Sequence, residues 1–412
     1  MARLIFVNRF FYPDHSATSQ ILSDLAFALS GNGHDVHVVT SQQIYDQPAA
    51  SLPAEETVNG VRVHRVLTTR YGRAGLSGRA VDYLSFYASV VPRLREAAGR
   101  DDIVIAKTDP PLISVVAAGV ARHRSAHLVN WLQDIYPEVA MELKVPLTRP
   151  AARALIPPRN WSLRTAKVNV VLGTSMAARL AAIGVAADRI RIIPNWIDDR
   201  AIMPVPRKDN ALRREWKLQD KFVVGYSGNL GRAHEFETLL AAADRLRSDP
   251  RFAFVVIGGG RQFDRLAGAV DERKLTDSFR LLPYQDRQQL RLSLGVPDVH
   301  WISMHPPLEG LIFPSKFYGI AAAGRPLIAL TGGRGEIAEL VRRHDCGVVV
   351  EPGDADGFAR TLTKLADDPA LCTTMGARAR AMLEQQFSRQ HAIAAWEALL
   401  KTLAPEDAAS RS

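Results

Sequence analysis

Cysteine is almost missing from this sequence: Cys346 and Cys372 are the two in 412 residues. Neither has partners at metal-ligand spacing, so neither a disulfide framework nor a zinc site is indicated, and a reducing cytoplasm is the expected location. No segment approaches the roughly 18 uninterrupted apolar residues that a membrane span needs. The opening Met1-Ala2-Arg3-Leu4-Ile5-Phe6-Val7-Asn8 lacks a long apolar core and a small-residue cleavage site, and reads as a strand and not a signal peptide. A dinucleotide fingerprint is missing from the first strand–helix junction, which counts against nicotinamide chemistry. Interleaved aromatic and basic residues of the RNA-binding type are missing too, so no nucleic-acid partner is expected.

What is present is a globular composition, 47% hydrophobic and 23% charged. The length suits two domains of roughly 200 residues each. Net charge is +9, and between Lys144 and Arg191 nine basic residues face one acidic residue, Asp188. That excess fits an acidic substrate or an anionic membrane surface; an ordinary solvated face is the plainer reading.

Strand-like and helix-like runs alternate. Leu4–Asn8 and His34–Thr40 read as strands on either side of a helix over Ser16–Ser30, the opening of a doubly wound α/β domain. Further strands are predicted at Gly60–Val66, Asp102–Ala106, Ala126–Leu132, Val168–Leu172 and Arg189–Ile193. Leu76–Val91 reads as a helix apolar nearly all round, ended by Pro92 and flanked by Arg70, Arg73, Arg79, Arg93 and Arg95. It is either packed in the interior or laid against a lipid-linked acceptor. Ser16 and Ala17 lie in the first loop after a strand, and Asp134 follows a later one, at the sheet edge where such folds bind ligands. Asp134 either orders a hydroxyl group or caps the next helix.

After a polar, proline-containing stretch at Ala201–Asp209 the pattern restarts. Phe222–Tyr226 runs into Ser227-Gly228-Asn229-Leu230-Gly231-Arg232, and Phe252–Ile257 into Gly258-Gly259-Gly260. Such glycines allow close backbone approach, and Arg232 offers a fork of donors to phosphate oxygens. Phe279–Leu282 leads to Pro283-Tyr284. Most informative is Glu309-Gly310, then Pro314-Ser315-Lys316, then Ala322-Ala323-Gly324-Arg325-Pro326. It reads as a loop entering a short helix, with Pro314 at its first position and Gly324 as its left-handed stop. Ser315 and Lys316 then place donors and a cation where an anion is favoured; a solvated lysine on a surface helix is the alternative. Gly332-Gly333-Arg334-Gly335-Glu336 opens a later helix.

These segments resemble the retaining glycosyltransferases of family 4, over about residues 3–400. Gln133-Asp134-Ile135-Tyr136-Pro137-Glu138 and Pro314-Ser315-Lys316-Phe317-Tyr318 are closest to enzymes of bacterial colanic-acid, O-antigen and capsule assembly. The resemblance implies a GT-B fold: two Rossmann-like domains facing a cleft. On that pattern residues 1–200 bind acceptor, 201–220 link, 221–385 bind the nucleotide-sugar, and 386–412 form a helix crossing back plus a frayed tail. It implies metal-independent transfer from a nucleoside-diphosphate-sugar, without a cofactor, to a glycan or lipid-diphosphate-linked acceptor, in the cytoplasm with or without attachment to the inner membrane surface. Arg232, Lys316, Asp134 and Glu309 would be catalytic. Gly228, Asn229, Gly259, Pro283, Tyr284, Gly310, Ser315 and Glu336 would hold the donor, with Ser16 and Ala17 on the acceptor side. Two positions depart from the family pattern. Ser16-Ala17 stands where a glycine pair is common, and Gly319 stands where a second glutamate would hold the ribose, with Glu336 as the candidate substitute. A non-catalytic nucleotide-sugar-binding subunit and a sugar-nucleotide epimerase of the same fold are the alternatives.

Overall fold

The computed structural model describes residues 2–45, 47, 50–72 and 75–403; Arg73 and the tail Ala404–Ser412 lie outside them. The chain divides into two compact units, one of residues up to Pro194 together with those from Ala392 onward, the other Asn195–His391.

In the first unit eight strands form one sheet: β1 Leu4–Val7, β2 Val36–Ser41, β3 Glu55–Val58, β4 Val61–Val66, β5 Ile103–Lys107, β6 His127–Trp131, β7 Val168–Val171 and β8 Ile190–Ile192. Their spatial order is β3-β4-β2-β1-β5-β6-β7-β8. All pairs are parallel except β3–β4, an edge hairpin. The central strands are buried on both faces, which is why they read as continuous Ile, Val, Leu and Phe runs and not as alternating ones.

Two helices differ from expectation. Leu76–Ala97 continues through Pro92, because Leu94 and Ala97 beyond it are buried and that packing outweighs one lost backbone bond. Nor is it apolar all round in its setting: Asp82, Phe86, Val90 and Leu94 are buried at four-residue spacing, while Val81 and Leu84 are exposed. The second, Arg149–Thr165, carries Pro157 and Pro158 inside it and was hidden by them. It is tied down by buried Arg159, whose guanidinium pairs with both carboxylate oxygens of Glu138 at 3.1 and 2.5 Å.

The second unit has six strands: β9 Phe222–Asn229, β10 Phe252–Gly259, β11 Phe279–Leu282, β12 Val299–Ser303, β13 Leu327–Leu330 and β14 Gly347–Val350. All are parallel, in the order β11-β10-β9-β12-β13-β14. This is the doubly wound order 3-2-1-4-5-6, whose switch point lies between β9 and β12. Residues 201–220 belong to this unit; Leu212 and Arg213 are buried, and Arg213 forks onto Asp298 at 3.0 Å. The helix Arg389–Leu403 carries the chain back into the first unit, where Trp396 packs edge-on against Trp131 at 4.9 Å between ring centroids.

Candidate functional site

In an open parallel sheet, ligands bind beyond the carboxyl ends of the strands at the switch point. In the second unit that place is built by the turn after β9 and the loops after β12 and β13. Gly228, at the end of β9, has φ +126°, a conformation that favours glycine. A side chain there would also collide with Lys316, since a β-carbon would lie 2.8 Å from Lys316 Cε. The bare turn is therefore the bed for the Lys316 stem. The Lys316 ammonium is enclosed, 3.1 Å from His234 Nε2 and 5.3 Å from the centre of the Tyr226 ring. Burial pulls its pKa down to about 8. Arg232 sits in the same turn and makes no hydrogen bond or ion pair among the described residues, which leaves its donors available.

The neighbouring turn after β10 is equally bare. Tyr284 lies across Gly259, with its ring 3.2 Å from where a β-carbon would be, and is itself 61% exposed. Asn229 occupies the space that a side chain at Gly260 would need. Pro283 precedes Tyr284 on the loop leaving β11. This gives an aromatic face beside a glycine turn, the kind of surface on which a flat base can rest.

Glu309 faces another way. Its Oε1 accepts a hydrogen bond from the Thr331 hydroxyl at 2.7 Å. β-carbons at Gly332 and Gly335 would lie 2.8 and 2.5 Å from its carboxylate. The glycine loop after β13 thus wraps the Glu309 carboxylate just ahead of the helix Glu336–His344. Gly310 follows it with φ +75°. Glu336 lies close enough to Tyr318 to push that buried phenol further above its ordinary pKa, burial being the larger cause.

The short helix is Lys316–Ala322, so Pro314 stands two residues ahead of it and not at its first position. Ser315 is the exposed cap residue and makes no capping bond with its side chain. At seven residues the helix is brief, and the positive charge at this place is chiefly that of the lysine. Gly324 does take the left-handed stop, φ +62°. At Gly319 a β-carbon would meet Leu294 and Ile197 at 3.5 and 3.6 Å, ordinary contact distances. Space alone therefore does not account for the missing carboxylate.

The first unit carries a different group at its own strand ends. Asp134 and Asp109, after β6 and β5, have enclosed carboxyls: burial first, then the Asp109 charge, raises Asp134 to about 7. Burial raises Asp109 to about 6, with Arg9 opposing. Asp134 Oδ1 is buried and accepts no hydrogen bond, and the next helix, Glu138–Glu142, has Pro137 as its cap residue with no side-chain capping bond, so Asp134 is not its cap. It borders a cavity of about 20 Å³ together with Thr108, Tyr136 and Arg159, enough for one water-sized group. Tyr83 and Tyr87 on the helix Leu76–Ala97 are pushed up by burial, Tyr83 to about 12. Ser16 donates its backbone N–H to Asp14 at 2.8 Å and Ala17 begins the following helix; the Ser16 hydroxyl is buried without a hydrogen-bond partner among the described residues. Reading the sequence did not single out His234, Tyr226, Thr331 or Asp109. A histidine two residues after Arg232 was the available signal, and alone it is weak.

Residues 17–196 match the family described as glycosyl transferase 4-like domain, and residues 208–382 match glycosyl transferases group 1. The chain belongs to glycosyltransferase family 4. It is a transferase enzyme, similar to probable glycosyltransferase WbjE of Pseudomonas aeruginosa, 26% identical over 80% of this chain and 81% of that one. It is also 31% identical to the putative colanic acid biosynthesis glycosyl transferase WcaI of Escherichia coli, over 45% of this chain and 46% of that one. Among solved structures, HepE of Anabaena in complex with UDP-glucose superposes with a TM-score of 0.72 at 17% identity, covering 98% and 99% of the two chains. The sucrose-phosphate synthase of Thermosynechococcus elongatus gives 0.76 at 18%, over 98% and 99%. The fold is GT-B, with two Rossmann-like parallel-sheet domains.

Proposed function

We propose that this glycosyltransferase moves a sugar from a nucleoside-diphosphate-sugar to a glycan acceptor carried on a lipid diphosphate, with retention of configuration and without a metal, in the synthesis of a bacterial surface polysaccharide. The observation that carries the reading is the enclosed Lys316 ammonium against the Gly228 turn, with Arg232 in the same turn. Two cations at the switch point suit the charge that develops on a leaving diphosphate. That HepE binds UDP-glucose supports a nucleotide-sugar donor here, and Tyr284 over Gly259 is a fitting rest for the base. No side chain is assigned as nucleophile. The acceptor hydroxyl attacks on the face from which the leaving group departs, its proton going to the departing phosphate.

Acceptor recognition is assigned to the first unit, with Asp134 receiving a hydroxyl group. Leu67, Tyr71, Val81 and Leu84 are 71%, 59%, 44% and 65% exposed and stand near Arg70 and Arg79 in sequence. Exposed apolar and basic side chains together favour peripheral contact with an anionic membrane surface.

A second reading, a binding subunit without turnover, is favoured by Gly319 standing where the family has a carboxylate. The deciding experiment is mass-spectrometric transfer with UDP- and GDP-sugars and lipid-diphosphate-linked acceptors, with metal chelated. One added sugar on the acceptor supports transfer; donor binding without product across a broad acceptor panel favours the binding subunit; no binding of any nucleotide-sugar overturns both.

A further inference from the structure

We infer that His234 is a positioning residue for Lys316, holding the ammonium against the Gly228 turn through one acceptor nitrogen of fixed identity. The inference rests on the reading of Lys316 as a ligand of the donor diphosphate.

The hydrogen-bond chain leaves no freedom in the assignment. His234 is buried, and its Nδ1 lies 2.6 Å from the Ser303 carbonyl oxygen at the end of β12. A carbonyl can only accept, so Nδ1 carries the proton. In a neutral imidazole the lone pair is then on Nε2. Lys316 Nζ is 3.1 Å from that Nε2, and an ammonium can only donate. Protonating the ring would set N–H against N–H, and burial together with the Lys316 charge pushes His234 down to about 3. Tyr226 flanks the ring edge-on at 5.7 Å between centroids, so the imidazole is locked in rotation as well. One of the three Lys316 donors is thereby used. The other two have no partner among the described residues and remain for an incoming oxyanion.

Without that acceptor, the enclosed ammonium would keep its desolvation and lose its compensation, so the neutral amine would be favoured at lower pH. The ionisable groups facing Lys316 are Tyr226 from β9 and His234 from the turn that follows; His305 after β12 acts on His234, Tyr284 acts on Tyr226, and Glu235 accepts from the Thr238 backbone N–H. Tyr226 is pushed well above its ordinary value by burial and stays neutral.

The test is UDP binding by calorimetry between pH 6.5 and 9.5, on the whole chain. Wild type loses affinity as pH rises through about 8, and Lys316→Arg, charged throughout, does not. His234→Asn keeps a donor for Ser303 but is too short to reach Lys316, and His234→Phe keeps the ring without the acceptor. Both are expected to move the loss of affinity to lower pH by about one unit, hence about fivefold weaker binding at pH 8, approaching about tenfold above pH 9. His234→Gln, with a carboxamide oxygen near the Nε2 position, recovers most of it. A folded His234→Asn or His234→Phe protein with the wild-type profile overturns the inference. Lys316→Ala binding UDP as wild type does would instead remove the reading of Lys316 on which the inference rests, whatever His234 does.

Discussion

Both units are doubly wound sheets, yet their strand ends hold opposite chemistry. In the second, cations stand over bare glycine turns, and the cation is given a defined neutral acceptor, His234 on Lys316. In the first, two carboxyls are enclosed, with Asp134 Oδ1 accepting nothing and Asp109 beside it raising its pKa. One fold twice over thus gives one edge built to receive negative charge and another that resists carrying it. The topology decides where a site falls, and the side chains at strand ends decide what it receives.

The sharpest way to break this contrast is to remove the cation. Lys316→Ala is expected to lower transfer by about 10²–10³-fold, in the range of other preorganised charge-stabilising groups, with thermal unfolding unchanged or improved. Near-wild-type turnover would dissolve the distinction between the two edges. Crowding the bed should do less: Gly228→Ala places a β-carbon 2.8 Å from Lys316 Cε at φ +126°, and weaker donor binding with intact folding is expected, read as KM for the nucleotide-sugar.

Asp134→Asn tests the opposite edge, and its two effects have opposite signs. Transfer should fall if Asp134 receives the acceptor. Stability should change with pH as follows. The folded pKa of about 7 lies above the ordinary carboxylate value, so the folded state binds more protons than the unfolded between about pH 4 and 7, and stability falls as pH rises through that window. Above pH 7 the wild type holds a buried charge that asparagine does not. The variant should therefore gain several degrees in Tm relative to wild type at pH 8 and little at pH 4. Equal Tm differences at both pH values would mean that Asp134 is solvated.

How much of this was legible follows from the physics of each signal. Strand positions showed because buried parallel strands are continuous apolar runs. The hairpin strand Glu55–Val58 escaped, since an exposed edge strand of Glu-Glu-Thr-Val has no such run. Arg149–Thr165 escaped because prolines inside a helix look like its end. In the site, Arg232 and Lys316 stood out through their glycine and proline surroundings. His234 did not, because what makes it informative is the Ser303 carbonyl, 69 residues away, and the tautomer that this carbonyl imposes. Glu309 was legible as a residue but not in orientation, which depends on the loop after β13 closing around it.

The smallest effect concerns a lysine in the first unit that the contrast does not explain. Lys107 ends β5 fully buried, its Nζ without a hydrogen-bond partner and 3.3 Å from the centre of the Trp131 ring. Burial drives its pKa well below the ordinary lysine value. A depressed lysine binds fewer protons folded than unfolded, so it costs stability below its unfolded pKa and the cost fades as pH rises toward 10.5. The Trp131 face compensates an ammonium only in part, by about 2 kcal/mol when desolvated, while methionine fills similar space with no charge to desolvate. Lys107→Met is accordingly expected to raise Tm slightly at pH 7 and by less at pH 10, with donor binding in the second unit untouched. A lower Tm in Lys107→Met at pH 7 would show that the lysine is held there charged, and that the first unit, too, keeps a cation at its strand ends.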